Sequence, residues 1–207
     1  MAIQPVLYTS SHGLDPLPGR EEEHRFLPRK LKIEFDITLQ KKFFGPEINA
    51  KGGQELNNEI ISKIVQNAKN LCRSGTPQVI IVLLGDNNLR NLNQPPNEYL
   101  KMIEDLLEQM QQISKCHLVL TSLLPSPKTN WKCKFVFRDV SNTIKELVGH
   151  ENLKASFMNL NGKFLIQGEP DLSLFLSDKI HLNERGAKIL AASIKNHLNK
   201  LPKKIWK

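Results

Sequence analysis

Val79-Ile80-Ile81-Val82-Leu83-Leu84 is an unbroken run of β-branched residues and leucine. A strand with one wet face alternates apolar and polar residues, whereas a strand covered on both faces carries a continuous apolar run. The stretch therefore predicts a buried parallel strand between two helical layers. Downstream lie a polar loop, a helical pattern from about Asn97 to Ser114, and a second buried strand at His117 to Thr121. After the loop from Leu124 to Lys134 come a helix near Val136 to Val148 and a last strand near Lys154 to Met158. The closing helix starts near Asn183, with Ala187, Leu190, Ala191, Ile194 and Leu198 along one side.

Upstream of the run, Leu56, Ile60, Ile61, Ile64, Val65, Ala68 and Leu71 recur at helical spacing, and Gly75 and Pro77 end the helix. A short strand at Glu47 to Ala50 precedes it and runs into Gly52-Gly53. Leu31, Ile33, Phe35 and Ile37 alternate as a strand does, and Thr38 to Phe44 suits a short helix or turn. Strand and helix alternating in this way predict a three-layer α/β/α domain built on an open parallel sheet. Residues 1–30, punctuated by Pro5, Gly13, Pro16, Pro18, Gly19 and Pro28, read as an irregular extension outside the core. Residues 31–200 read as the domain, and 201–207 as a basic tail.

A chain of 207 residues has room for one core. The 29 Lys and Arg against 21 Asp and Glu leave +8, which favours polyanionic partners. Cys72, Cys116 and Cys133 are odd in number and far apart, without a CxxC pair, so neither a zinc ribbon nor a disulfide framework is indicated. The expectation is free thiols in a reducing compartment, with no metal and no cofactor. No stretch approaches a membrane span, and the N-terminus lacks the charged and apolar regions of a secretory signal. A cytoplasmic location is expected.

Working groups of such sheets sit on loops at the carboxyl ends of the strands. Three of these loops carry motifs. Ser177-Asp178-Lys179-Ile180-His181-Leu182-Asn183-Glu184-Arg185-Gly186 opens the last helix, Gly85-Asp86-Asn87-Asn88 ends the buried run, and Lys51-Gly52-Gly53-Gln54 follows the short strand. Their order, spacing and strand context resemble the SGNH (GDSL-like) hydrolase family. The resemblance implies a five-stranded parallel sheet of flavodoxin-like order. It also implies an Asp178–His181 pair, a side-chain oxyanion donor at Asn87 and a backbone donor at Gly53 or Gly52. In that chemistry a histidine, oriented by an aspartate, deprotonates a serine, and the donors hold the tetrahedral oxyanion.

The family's first block, a strand running into Gly-Asp-Ser, is matched to the strand Leu31–Phe35. Aligned on Asp36, it has Phe35 for the glycine and Ile37 for the serine. Asn88 replaces the second residue of the family's Asn-Asp pair. Loss of the serine costs about a million-fold in kcat, roughly 8 kcal/mol of barrier, so this alignment implies a pseudoenzyme. Thr38, Ser10 and Ser11 are the alternative hydroxyls. Each motif also has a plainer reading: His181 packs or caps at the last helix with Asp178 as its partner, Asn183 is a good N-cap, and Asn87 and Asn88 close a turn. Gly52 and Gly53 supply positive φ.

Without the serine, a binding role leads, with RNA as the ligand. Arg25, Arg29, Lys30, Lys41, Lys42, Lys51, Lys195, Lys203 and Lys204 are the candidate phosphate contacts. Aromatic content of 6% offers no evident base-stacking platform. A basic SGNH domain without its serine resembles the Oskar-like domains of insect germ-plasm organisers, which are associated with RNA, and also the degenerate SGNH domains of retroelements. A protein-interaction scaffold and a residual acyl hydrolase are the alternatives.

Overall fold

The computed structural model describes residues 5–11, 47–52, 55–73, 78–83, 88–89, 95–128, 131–150, 153–202 and 205. Its sheet has five strands: β1 (Pro5–Ser11), β2 (Glu47–Gly52), β3 (Gln78–Leu83), β4 (Cys116–Thr121) and β5 (Ala155–Met158). They lie in the order β2-β1-β3-β4-β5, and every neighbouring pair is parallel. This is the flavodoxin-like order expected from the three loop motifs.

One part of the sequence reading is corrected here. The place between β2 and β3 is held by Pro5–Ser11 and not by the alternating segment from Leu31. The boundary at residue 30 therefore does not separate an extension from the core. A central parallel strand is covered on both faces, so it wants the continuous run Val6-Leu7-Tyr8 and not a segment in which Lys32, Glu34 and Asp36 interrupt the apolar residues. Residues 31–37 themselves, and the Thr38–Phe44 turn, lie outside the described residues.

Alternation along β3 and β4 divides the core in two. Ile80, Val82, Leu118 and Leu120 pack with the apolar stripes of three helices: α1 (Asn58–Cys72), α2 (Pro96–Gln111) and α3 (Trp131–Val148). Val79, Ile81 and Val119 face the other way, onto Leu190, Ile194 and Leu198 of α5 (Glu184–Lys200). β4 is buried along its whole length, as a strand between two helical layers must be.

The helices start where local chemistry allows. The Asn57 side chain caps α1 by accepting the Ile60 N–H at 2.9 Å, and α2 opens on Pro96, whose missing N–H costs nothing in a first turn. α2 stops at Gln111, three residues before the expected end, because the chain turns through Lys115 at φ 59° to enter β4. α3 begins at Trp131, five residues earlier than the apolar spacing suggested.

Between β5 and α5 lies a small substructure that periodicity did not reveal. A single helical turn, α4 (Asn161–Phe164), leads into the antiparallel hairpin of β6 (Leu165–Ile166) and β7 (Glu169–Pro170). Its two-residue loop, Gln167 at φ 53° and Gly168 at φ 82°, has both residues in the left-handed region, as tight hairpins prefer. Lys134 of α3 pairs with Glu169 and fastens the hairpin to the helical layer. Among the described residues, no helix is long and apolar enough to cross a membrane.

Candidate active site

The carboxyl edge of the sheet carries the best-formed polar site. Asp178 and His181 sit on a tight turn just before α5. One oxygen of Asp178, Oδ1, accepts the backbone N–H groups of Ile180 at 2.9 Å and His181 at 3.0 Å. The other, Oδ2, lies 2.5 Å from His181 Nδ1. Lys179, between them, takes φ 61°, which lets the chain fold back over so few residues. The imidazole is held deep, its side chain only 11% exposed.

The surrounding backbone fixes this turn against the sheet. The Lys179 carbonyl accepts from Ser126 Oγ at 2.9 Å and from the Lys128 N–H at 3.3 Å, and both donors belong to the loop leaving β4. The His181 carbonyl accepts the Leu176 N–H at 2.7 Å. Asn183 caps α5 by accepting the Gly186 N–H at 3.0 Å, while its amide donates to the carbonyls of Ser173 and Phe175 at 2.8 and 3.2 Å. Gly186 is required for closeness and not for φ: a Cβ there would stand 2.2 Å from the Leu174 carbonyl oxygen. The motif's residues are thus both site and scaffold.

Burial of Asp178 pushes its carboxyl up. The hydrogen bonds from the His181 ring and from the two backbone N–H groups outweigh this and hold the carboxyl below its ordinary value. Asp178 is therefore an anion at neutral pH. It keeps the proton of His181 on Nδ1, which makes Nε2 the nitrogen able to take one from a nucleophile.

At the same edge of the sheet, β1 ends in Ser10 and Ser11. The register pairs Ser10 with Lys51 and Ser11 with Gly52, while Thr9 stands beside Leu83 on the other side. Two hydroxyl residues therefore end this interior strand next to the glycine expected to border an oxyanion hole. Asn88 joins the neighbouring loops. Buried to 3% exposure, it accepts the Leu56 N–H at 2.8 Å and donates to the Leu56 carbonyl at 2.9 Å. The segment after β3 is in this way bolted to the segment after β2.

The alignment that put Ile37 at the nucleophile position took Leu31–Phe35 as the strand beside Gly52, whereas the strand ending there is β1. Ser10 and Ser11, two of the alternative hydroxyls, are the residues that end it. The signal for this strand is the Val6-Leu7-Tyr8 run, which leads into hydroxyl residues despite the prolines around it. Ile37, Gly53 and Asn87 lie outside the described residues, as do Arg25, Arg29, Lys30, Lys41, Lys42, Lys203 and Lys204. Lys51 is on β2, at one edge of the sheet, and Lys195 is on α5, half-buried. Among the described residues, no group of three or more His, Cys, Asp or Glu side chains is placed to hold a metal ion.

A second polar cluster occupies the opposite edge. His117, near the start of β4, lies 3.0 Å through Nε2 from Ser156 Oγ on β5, and the same oxygen lies 3.0 Å from His197 Nε2 on α5. Burial, and then the nearby His197, push the His117 imidazole down to about 4. Burial, and then Lys200, also lower His197.

The fold is that of an α/β domain of the kind seen in GDSL-type lipolytic hydrolases. A GDSL-like lipase from Bacteroides thetaiotaomicron superposes with a TM-score of 0.65 at 15% identity, over 95% of this chain and 88% of its own. A member of the lipolytic G-D-S-L family from Veillonella parvula gives 0.60 at 13% identity, over 97% and 100%. The family 3 carbohydrate esterase of Clostridium thermocellum gives 0.58 at 18% identity, over 94% of each chain. At these identities the likeness is one of fold. No protein-family model matches the sequence, and no curated protein matches it.

Proposed function

We propose that the chain is a serine acyl-ester hydrolase with Ser11 as nucleophile, His181 as general base and Asp178 as the residue that orients it. The observation carrying this reading is the register of β1, in which Ser11 stands beside Gly52 on the edge that also holds the Asp178–His181 pair. Thr9-Ser10-Ser11 then takes the place of the Gly-Asp-Ser block, with the serine retained and the two residues before it changed. Ser11 Oγ attacks the ester carbonyl as His181 Nε2 accepts its proton, and the same proton passes to the departing alkoxide. Water then repeats the sequence on the acyl-enzyme. Gly53, which follows Gly52, and Asn87, which precedes Asn88, are the proposed oxyanion donors.

The test is labelling by a fluorophosphonate together with turnover of a short-chain nitrophenyl ester. Wild type and Ser10→Ala should label and turn over. Ser11→Ala should lose the label and on the order of a million-fold in kcat, and His181→Ala should lose both activities. A label that persists on Ser11→Ala, or no label on wild type, overturns the assignment.

The contrary reading, an inactive binding module with RNA as its ligand in the manner of Oskar-like or retroelement domains, loses the missing serine as its argument. What still supports it is the charge of +8. Micromolar RNA affinity falling steeply with salt, in a chain inert to the phosphonate, would favour it.

A further inference from the structure

Cys72 and Cys116 are separated by most of two structural units in sequence, yet the fold brings them into one part of the core. Cys72 is the last residue of α1 and is half-buried, and Cys116 is the first residue of β4 and is 3% exposed. The two thiols are near enough to shift one another's ionisation. The Cys72 Sγ also lies 3.9 Å from the carbonyl of Lys115, the left-handed residue that turns the chain into β4. Both cysteines belong to the core face formed by α1, α2 and α3, so their side chains converge from two different elements.

We propose that Cys72 and Cys116 form a reversible disulfide by exchange with a low-molecular-weight disulfide such as oxidised glutathione, fastening the end of α1 to the start of β4. The two thiols have different roles. Cys72, the more exposed, attacks one sulfur of the small disulfide as its thiolate. A mixed disulfide forms on Cys72, and the displaced thiolate takes a proton from solvent. Cys116 then gives up its proton and attacks the Cys72 sulfur, expelling the second small thiol. Two protein thiols are oxidised and one small disulfide is reduced to two thiols, so electrons and protons balance. The neighbouring Cys116 thiol lowers the Cys72 thiol, and Cys72 together with burial raises Cys116, which agrees with this division of labour.

The bond would close a loop of about 45 residues at the amino edge of the sheet, away from Asp178 and His181. It would act on stability while leaving the ester site open. The experiment treats the full chain with oxidised glutathione, maps peptides by mass spectrometry without reduction, and measures Tm before and after. The expected result is a linked Cys72–Cys116 peptide, a mass lower by about 2 Da, and a Tm raised by the order of 10 °C. Dithiothreitol should reverse all three. Cys72→Ala, at the less buried position, should show no linkage and no Tm shift, while Cys133→Ser should behave as wild type. A glutathione adduct that persists on Cys72, a linkage through Cys133, or thiols that remain free would overturn the proposal. The outcome does not depend on whether the chain hydrolyses esters.

Discussion

Acid should unfold this protein partly through the His117–Ser156–His197 cluster. The Ser156 hydroxyl has one proton to give. It can donate to one Nε2, and the other imidazole must then present an Nε2–H to the same oxygen. That arrangement is satisfied with both rings neutral. His117 is 8% exposed, and its folded pKa lies at about 4 against an ordinary 6.5. The unfolded chain therefore binds more protons than the folded one between these values, so stability is complete above about 6.5 and falls as the pH drops toward 4. Working the linkage through, His117 alone costs about 2 kcal/mol between pH 7.5 and pH 5, and about 3 kcal/mol once both states are fully protonated. The assay is urea denaturation at a series of pH values for wild type and His117→Gln, which keeps an amide near Ser156 but cannot titrate. Wild type should lose about 2 kcal/mol more than the variant between pH 7.5 and 5. His197 titrates in both proteins and cancels to first order. Equal slopes for the two proteins would refute the reasoning, as would a wild type that gains stability in mild acid.

Two further substitutions probe the scaffold of the site. Gly186→Ala drives a methyl against the Leu174 carbonyl oxygen and should cost about 1–3 kcal/mol in denaturation free energy, with His181 displaced as α5 shifts. A variant as stable as wild type would mean that α5 yields more readily than its cap suggests. Asn88→Ala leaves both the N–H and the carbonyl of buried Leu56 without their partner and should cost about 2–4 kcal/mol. Asn88→Asp should not restore it at neutral pH, because a carboxylate can accept the N–H but faces the carbonyl with no donor.

The legible parts of the fold were those in which one residue pattern admits one structure. The runs at Val79–Leu84 and His117–Thr121 had to be doubly covered strands, and the stripe from Ile60 to Ala68 had to be a helix against the sheet. Asp178 and His181 were legible because only two residues separate them and because Asn183 and Gly186 follow at the spacing of a helix cap. The position of β1 was misread for a definite reason. Alternating Leu31, Ile33, Phe35 and Ile37 make a tidy strand pattern, but of a half-exposed strand, whereas the sheet's centre calls for the short solid run at Val6–Tyr8. That misreading carried the alignment of Ile37 with it. The β6–β7 hairpin was hidden because strands of two residues carry no period. The meeting of Cys72 with Cys116 follows from the crossover that delivers β4 beside β3, which no local pattern encodes.

The strand order has a consequence for synthesis. Pro5–Ser11 emerges from the ribosome before both of its neighbours, Glu47–Gly52 and Gln78–Leu83, so it has no complete lodging until the latter has been made. Over that interval a short apolar segment ending in two serines stays unclaimed by its sheet, and mispairing there is the hazard a nascent chain must survive. The same order means that proteolytic trimming of the first dozen residues would not shave an ornament from the protein. It would leave β2 parted from β3 by an empty lane in the middle of the sheet.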